Sequence, residues 1–413
     1  MSSPPSRARG LILTPRRLAA ALALLFLPPL SAAPQWVGTW ATSPRAEEPA
    51  AVGVTLEGAT LRQIVHVSIG GSKLRLCLSN AFGATALSVR GVHLALAGSG
   101  GAIRPATDRP LLFHGQPAVA IPAGASFLSD PLEFALPARS EVAISIYFNS
   151  VPATLTTHPG SRTTSYVLTG DHLAAPALPA ANKIVRWFFI NGLEVLDDGG
   201  QAAALAVLGD SITDGYGCTT DADNRWTDEL ARRLQADAGT RSIGVLNEGI
   251  GGNRLLRDGL GPNALARFGR DVLDQSGVRW LIVLEGINDL GTRVDARTKG
   301  QPFASASDII GAYEQIIARA RAHGIRVIGA TMTPIGGNKN YWSADGDADR
   351  QTINDWIRAP GHFDAVIDFD AAFRSPDQPE RMKPGLDSGD HLHPSVAGYA
   401  EMARVVDLAL FKN

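Results

Sequence analysis

Near residue 200 the rhythm of this chain changes, and one arrangement of layers cannot satisfy both rhythms. From residue 36 to about 200 apolar residues alternate with period two, over 61–67, 74–78, 141–148 and 183–190. Gly70-Gly71, Pro122-Ala123-Gly124 and Pro159-Gly160 punctuate these runs as turns. No helical stripe is legible there, so residues 34–200 are expected to form an all-β domain of the sandwich or jelly-roll kind. From residue 202 onward strand, loop and helix alternate. Short apolar runs at 202–208, 243–246, 280–284, 326–331 and 365–368 read as buried strands. Trp226, Leu230 and Leu234 form one helical stripe, and Ile309, Tyr313, Ile316, Ile317 and Ala320 form a second. A closing helix is expected over 396–411, behind Pro394. Five strands alternating with helices predict an α/β domain over 201–413, its parallel sheet covered on both faces. The polar, Gly-rich stretch 196–200 is the expected linker, and 413 residues is a length that two cores serve better than one.

Charge and composition exclude several classes. With 45% apolar and 19% charged residues the chain reads as globular. The first 33 residues carry Arg7, Arg9, Arg16 and Arg17 and no acid; without them 34 basic side chains face 40 acidic ones, a net charge of −6. Nothing in that balance suits a nucleic-acid partner. Arg16-Arg17 precede thirteen residues, 18–30, made only of Leu, Ala, Phe and Pro, and Ser31-Ala32-Ala33 follows. That is the pattern of a signal peptide, expected over 1–33, and Pro28-Pro29 leaves the run too short and broken for a stable membrane span. An exported protein, periplasmic or secreted, is therefore expected. Cys77 and Cys218 make no disulfide framework and no metal-ligand spacing; one interdomain bridge or two separate thiols remain open.

The strand at 202–208 stops at Gly209-Asp210-Ser211-Ile212-Thr213-Asp214-Gly215, and in a parallel sheet the chemistry gathers beyond such carboxyl ends. The second strand leads into Asn247-Glu248-Gly249-Ile250-Gly251-Gly252-Asn253-Arg254, the third into Gly286-Ile287-Asn288-Asp289, and Asp390-His391-Leu392-His393 precedes the last helix. Folding the sheet brings these loops to one rim. Ser211 is then a candidate nucleophile, needing a base within hydrogen-bond reach. His393 suits that task near neutral pH, and Asp390 can hold its other nitrogen. The N–H groups of Ser211 and Gly252 and the amide of Asn288 are candidate donors to an oxyanion.

Gly209-Asp210-Ser211-Ile212, Gly252, Gly286-Ile287-Asn288-Asp289 and Asp390-x-x-His393 resemble, in order, the four sequence blocks of the SGNH hydrolases, the GDSL-type esterases. The resemblance spans 203–411. It implies a flavodoxin-like three-layer α/β/α fold, hydrolysis of carboxylic esters, and neither metal nor cofactor. It carries the nucleophile onto Ser211, the base onto His393 and its partner onto Asp390, with Ser211, Gly252 and Asn288 as the oxyanion hole. Gly252 is preferred to Gly249 and Gly251 because it follows Asn247 by the usual interval. The upstream segments Gly38-Thr39-Trp40-Ala41-Thr42-Ser43 and Leu78-Ser79-Asn80-Ala81-Phe82-Gly83 resemble exported bacterial members that carry such an extension. A small-molecule or polysaccharide ester substrate follows, with short acyl esters on carbohydrate as the leading expectation. A broad aryl-ester or lipid-ester hydrolase of the lipase or lysophospholipase kind is the alternative. A carbohydrate-binding protein with an inactive hydrolase domain is the reading from another class.

Blander roles compete for the same residues. Ser211 could simply cap a helix. His391 and His393 form an H-x-H pair, but no third metal ligand is evident. Asp345-Gly346-Asp347-Ala348-Asp349 lacks the Gly and Glu of a calcium loop and reads as a solvated helix start. Asp210, Asp214, Asp289 and Arg254 are expected to order the rim without a chemical step. The β domain either binds glycan through exposed aromatics or packs on its neighbour and shapes its entrance; Trp187-Phe188-Phe189-Ile190 reads as core and favours packing.

Overall fold

The computed structural model describes residues 1–5 and 33–412, so the expected export signal falls on residues 6–32, outside the described part. Residues 35–197 form two antiparallel sheets. The smaller pairs Gln35–Ala41, Ile190–Asp197 and Gly71–Ser79 in that order, with Ser126–Leu128 and Leu132–Leu136 at its edge. The larger is built around Leu155–Thr169, Ala59–His66, Glu141–Ser150 and Leu87–Leu96. Alternation sets which side chains face inward. In Gly71–Ser79 the side chains of Leu74, Leu76 and Leu78 are fully buried between the sheets, while Lys73, Arg75 and Cys77 point outward. Burying each leucine stabilises the sandwich by about 2 kcal/mol.

The stretch expected as one strand at 183–190 is two. Asn182–Phe188 belongs to the larger sheet and Ile190–Asp197 to the smaller. Phe189, with φ of 55°, turns the corner between them. Trp187, Phe188, Phe189 and Ile190 are all buried, and an apolar run with no alternation carries no mark of the corner.

The second half is a parallel five-stranded sheet of strands β1 (Ala203–Gly209), β2 (Ile243–Gly249), β3 (Val278–Leu284), β4 (Arg326–Ala330) and β5 (Ala365–Ile367). Its spatial order is β2-β1-β3-β4-β5, the flavodoxin-like order, whose switch point lies between β1 and β3. Leu205 and Val207 face one apolar layer with Trp226, Leu230, Tyr399 and Met402; Ala206 and Leu208 face the other with Ile309, Tyr313 and Ile353. Helices therefore cover both faces, giving three layers. The closing helix is shorter than the sequence suggests, Val396–Val405, followed by a separate turn at Leu408–Phe411. Asp407 starts that turn by accepting from the Ala409 N–H at 2.9 Å, the local side-chain bond that makes aspartate a cap rather than a helix interior.

One apolar cluster crosses between the two halves. The sandwich cluster continues through Ala202 and Ala204 into Leu246 of β2. Strand Gln35–Ala41 lies so close to β2 that a Cβ on Gly244 would stand 2.1 Å from the Gly38 carbonyl oxygen, so only glycine fits there. Cys77 and Cys218 are separate free thiols, and burial pushes both up to about 12.

Candidate active site

β1 delivers its last residue into a space with no room for a side chain: a Cβ on Gly209 would meet Thr213 Oγ1 at 2.1 Å. Asp210, not Ser211, caps the one-turn helix Ser211–Asp214, accepting from Ile212 N–H at 2.9 Å. Ser211 thus takes the first helical position, where its own N–H has no partner within the turn. Gly215 ends the turn with φ of 89°.

The Oγ of Ser211 lies 2.8 Å from Nε2 of His393, across 182 residues of sequence. Nδ1 of His393 lies 2.6 Å from Oδ2 of Asp390. A carboxylate only accepts, so the proton sits on Nδ1 and the bare Nε2 faces the serine hydroxyl. Burial, joined by a smaller effect of Arg162, lowers the imidazole below its usual range against the Asp390 hydrogen bond and charge, which raise it. Partial burial raises Asp390, but the backbone N–H of His393, the imidazole and the N–H of Leu392 outweigh it and hold the carboxyl near 2. The imidazole is therefore neutral and the Asp390 carboxyl ionised near pH 7. His391 stays out of this arrangement, held by Asp387 at 2.7 Å, and among the described residues no group of three or more His, Cys, Asp or Glu could hold a metal ion.

Backbone accounting narrows the oxyanion candidates. β2 runs on to Gly249, past the strand end expected from sequence. The N–H of Gly249 is spent on Asn247 Oδ1 at 3.0 Å, that of Ile250 on the Gly209 carbonyl at 3.0 Å, and that of Asn253 on Ile250 at 3.0 Å. Among the described residues the N–H groups of Gly251 and Gly252 have no such partner. Gly252 holds φ of 73° with Leu260 against it, a position closed to other residues. Asn288 is buried; one N–H of its amide goes to the Asn253 carbonyl at 2.8 Å, leaving a second donor, while Tyr341 Oη donates to its Oδ1 at 3.1 Å. Asp289 ties the same two loops together through Leu255 N–H at 2.8 Å. Burial pushes Asp289 up to about 6 and Asp210 up to about 7, against the backbone N–H groups that each accepts.

Three residues that the sequence reading passed over support this rim. The guanidinium of Arg267 is fully buried and donates to the carbonyls of Gly209 (3.0 Å) and Glu248 (2.7 Å), to Asn253 Oδ1 (2.9 Å) and to Ser43 Oγ (2.7 Å). One cation thus gathers the ends of β1 and β2, the glycine loop and the sandwich. Asp271 is its close counter-ion at 3.1 Å; burial in this crowd of acids drives Glu248 and Glu285 well above the carboxylate range. His158 reaches from the sandwich with Nε2 2.9 Å from Asp214 Oδ1 and Nδ1 2.8 Å from the Ser43 carbonyl. A signal for Arg267 existed, since it falls on the same helical face as Ala264 and Phe268, where a charge has to find buried partners. For Ser43 and His158 there was none, because their partners lie 205 and 56 residues away.

Residues 207–401 match the model of the GDSL-like lipase/acylhydrolase family. Among solved structures the chain is similar to the acetyl xylan esterase AlAXEase, at 20% identity over 49% of this chain and 96% of that one, with a TM-score of 0.39. A catalytic mutant of Axe2, an acetylxylan esterase from Geobacillus stearothermophilus, is 21% identical over 49% and 91%, with a TM-score of 0.38. A GDSL-like lipase from Bacteroides thetaiotaomicron is 18% identical over 50% and 87%, also with a TM-score of 0.38. No curated protein matches the sequence. Residues 207–401 thus carry a GDSL-like lipase/acylhydrolase domain.

Proposed function

We propose that this protein is an exported serine esterase that removes short acyl groups, acetyl above all, from carbohydrate, with Ser211 as nucleophile. The observation that carries the reading is the unbroken line of contacts from Ser211 Oγ to His393 Nε2 and from His393 Nδ1 to Asp390, at 2.8 and 2.6 Å. In the forward step His393 Nε2 takes the hydroxyl proton as Oγ attacks the ester carbonyl. The carbonyl oxygen becomes an oxyanion beside the N–H groups of Ser211 and Gly252 and the free amide donor of Asn288. Collapse expels the alcohol, which receives the proton from His393, and leaves an acyl group on Ser211. Water then attacks that acyl group, giving its proton to His393, and the serine is regenerated with release of the acid.

Two observations support a carbohydrate substrate. Tyr216 lies with its ring centroid 4.2 Å from that of His393 and is 49% exposed; Trp342, next to Tyr341, is 39% exposed. Aromatic faces at a rim suit stacking against sugar rings. The aryl-ester or lipid-ester alternative is favoured by Leu260, which is 59% exposed against Gly252. Export rests on the sequence of residues 1–33; among the described residues no helix is long and apolar enough to cross a membrane. The proposed division places the sandwich at 34–200 and the esterase at 201–413.

Ser211→Ala is expected to abolish release of 4-nitrophenol from 4-nitrophenyl acetate while leaving the unfolding midpoint close to that of the native chain. Full activity in that variant would remove Ser211 as nucleophile. Acetate release from acetylated xylan, set against aryl esters of increasing chain length, separates the carbohydrate reading from its alternative.

A further inference from the structure

A single arginine from the sandwich stands beside the active site, its guanidinium donating no hydrogen bond among the described residues and meeting one acid, Asp214, at 3.8 Å. Strand Leu155–Thr169 is interrupted between Pro159 and Thr164, where its register to Asn182–Phe188 slips. Within that bulge Arg162 takes φ of 53°, a left-handed conformation disfavoured for any residue with a Cβ. The strain is held from the other half: Asp221 N–H donates to the Arg162 carbonyl at 2.9 Å, and the Asp221 carboxylate accepts from Thr164 N–H and Oγ1 at 2.6 and 2.7 Å. Gly160 leaves room for the guanidinium, since a Cβ there would stand 3.2 Å from Arg162 Nη2.

The result is a cation aimed at the reacting groups. Cζ of Arg162 lies 5.5 Å from the centre of the Tyr216 ring, which in turn lies on His393. Among the described residues the guanidinium makes no hydrogen bond, and its Nε is buried without a partner. Its nearest acid, Asp214, is 3.8 Å away and already held by His158 at 2.9 Å. Arg162 also lines a cleft of about 190 Å³ between the halves, with Arg45, Ile250, Gly251, Leu260 and the acid Asp214. Arg45 Nε is likewise buried and unpartnered, although the rest of that guanidinium is taken by Glu47 and the Leu260 carbonyl.

Arg162 opposes the protonation of His393, although the proposed reaction requires His393 to become cationic. With a neutral ester that opposition to the imidazolium stays in place. For a substrate bringing its own negative charge, the arginine gains a partner and the field at His393 is neutralised.

Resting on the Ser211 esterase reading, we infer that Arg162 is a specificity-determining residue that binds a carboxylate of the substrate in the cavity beside Gly251. That carboxylate belongs either to the acyl group, as in the half-ester of a dicarboxylic acid, or to the alcohol, as in an acetylated uronic acid. The shared chemistry is a carboxylate facing a partly buried cation that carries N–H donors.

Two matched pairs of esters test this by kcat/KM: 4-nitrophenyl hydrogen succinate against 4-nitrophenyl butyrate, and an acetylated methyl glucuronoside against the acetylated methyl glucoside. In the native protein the charged member of at least one pair is expected to be preferred. Arg162→Gln should lower that preference roughly tenfold or more, the loss expected for a charge-assisted hydrogen bond, and Arg162→Lys should restore much of it. The pair that responds assigns the carboxylate to the acyl or the alcohol side. The preference of the native protein should also shrink as salt rises from about 0.02 to 0.5 M, a readout that needs no variant. A preference that neither substitution nor salt changes in either pair overturns the inference, as does a native preference for the neutral member of both. Lys behaving like Gln would assign the effect to packing and overturn it too. If the native protein cleaves the neutral esters while these ratios stay flat, only the inference fails; if it cleaves none of the four, the esterase reading fails with it.

Discussion

Two imidazole–carboxylate pairs stand on either side of the short helix that carries Ser211, and they are built for opposite ends. His393 and Asp390 belong to one loop of the α/β half, with the Asp390 side chain 39% exposed. His158 comes from the sandwich and Asp214 from the helix of Ser211, both side chains only 4% exposed. In the first pair one nitrogen is fixed by the acid and the other is left facing a hydroxyl. In the second both nitrogens are taken: Nδ1 must donate to the Ser43 carbonyl, and Nε2 shares a proton with Asp214. An imidazole with a free lone pair can move a proton to and from a substrate, whereas one bound at both ends can only hold two elements together. The task of a histidine is thus decided by what its second nitrogen meets.

Substitutions at the two pairs break or sharpen that contrast. Asp390→Asn should lower kcat on 4-nitrophenyl acetate roughly 10³- to 10⁴-fold, because the amide favours the wrong tautomer of His393. Its unfolding midpoint should hardly move, since that side chain is partly in water. A loss below about tenfold would deny Asp390 its part in orienting the base. His158→Gln should show the reverse balance. Glutamine cannot satisfy both Ser43 and Asp214, and breaking this buried pair, which leaves Asp214 only Arg162 at 3.8 Å, costs about 3 kcal/mol in urea unfolding. The accompanying loss of kcat is expected to stay within about 100-fold, the lower end for general acid–base groups. An unfolding free energy equal to that of the native chain, with activity lost as in Asp390→Asn, would reverse the assignment. The smallest effect is on pH dependence. Burial disfavours the His393 imidazolium, so protonation requires a lower pH than usual and the acid limb of kcat/KM should lie below about 6.5. Asp390→Asn should move that limb lower still, and His158→Gln should leave it in place; an acid limb above 7 in the native protein contradicts this account.

The contrast also marks where reading the chain stops. Ser211, Asp390 and His393 could be singled out because each sits in a short stretch whose residue types answer a chemical need: a hydroxyl after a strand, an imidazole three residues beyond a carboxylate. The strands of the parallel sheet were legible for a similar reason, as runs such as 202–208 carry their burial in their own composition. Phe189 was not, because a corner between two buried strands leaves no break in an apolar run. Nor were His158, Ser43 or Arg162, whose neighbours contain nothing that points to the other half of the molecule. The β half makes specific contacts with the rim. Ser43 and His158 are hydrogen-bonded into the loops around Ser211, and Arg162 leans over Tyr216.

Local sequence by itself determined the two rhythms, the parallel sheet with its loops, and the identity of the residues able to do chemistry, since periodicity and residue type act over a few neighbouring positions. Tertiary structure alone decided that a histidine and an arginine from the sandwich meet Asp214 and Tyr216, just beyond the serine, and that one arginine, Arg267, binds both strand ends at once. The reason is physical: hydrogen bonds and buried charges are satisfied by whatever lies within about 3 Å, and distance in space is set by the packing of whole layers, which no short stretch of sequence encodes.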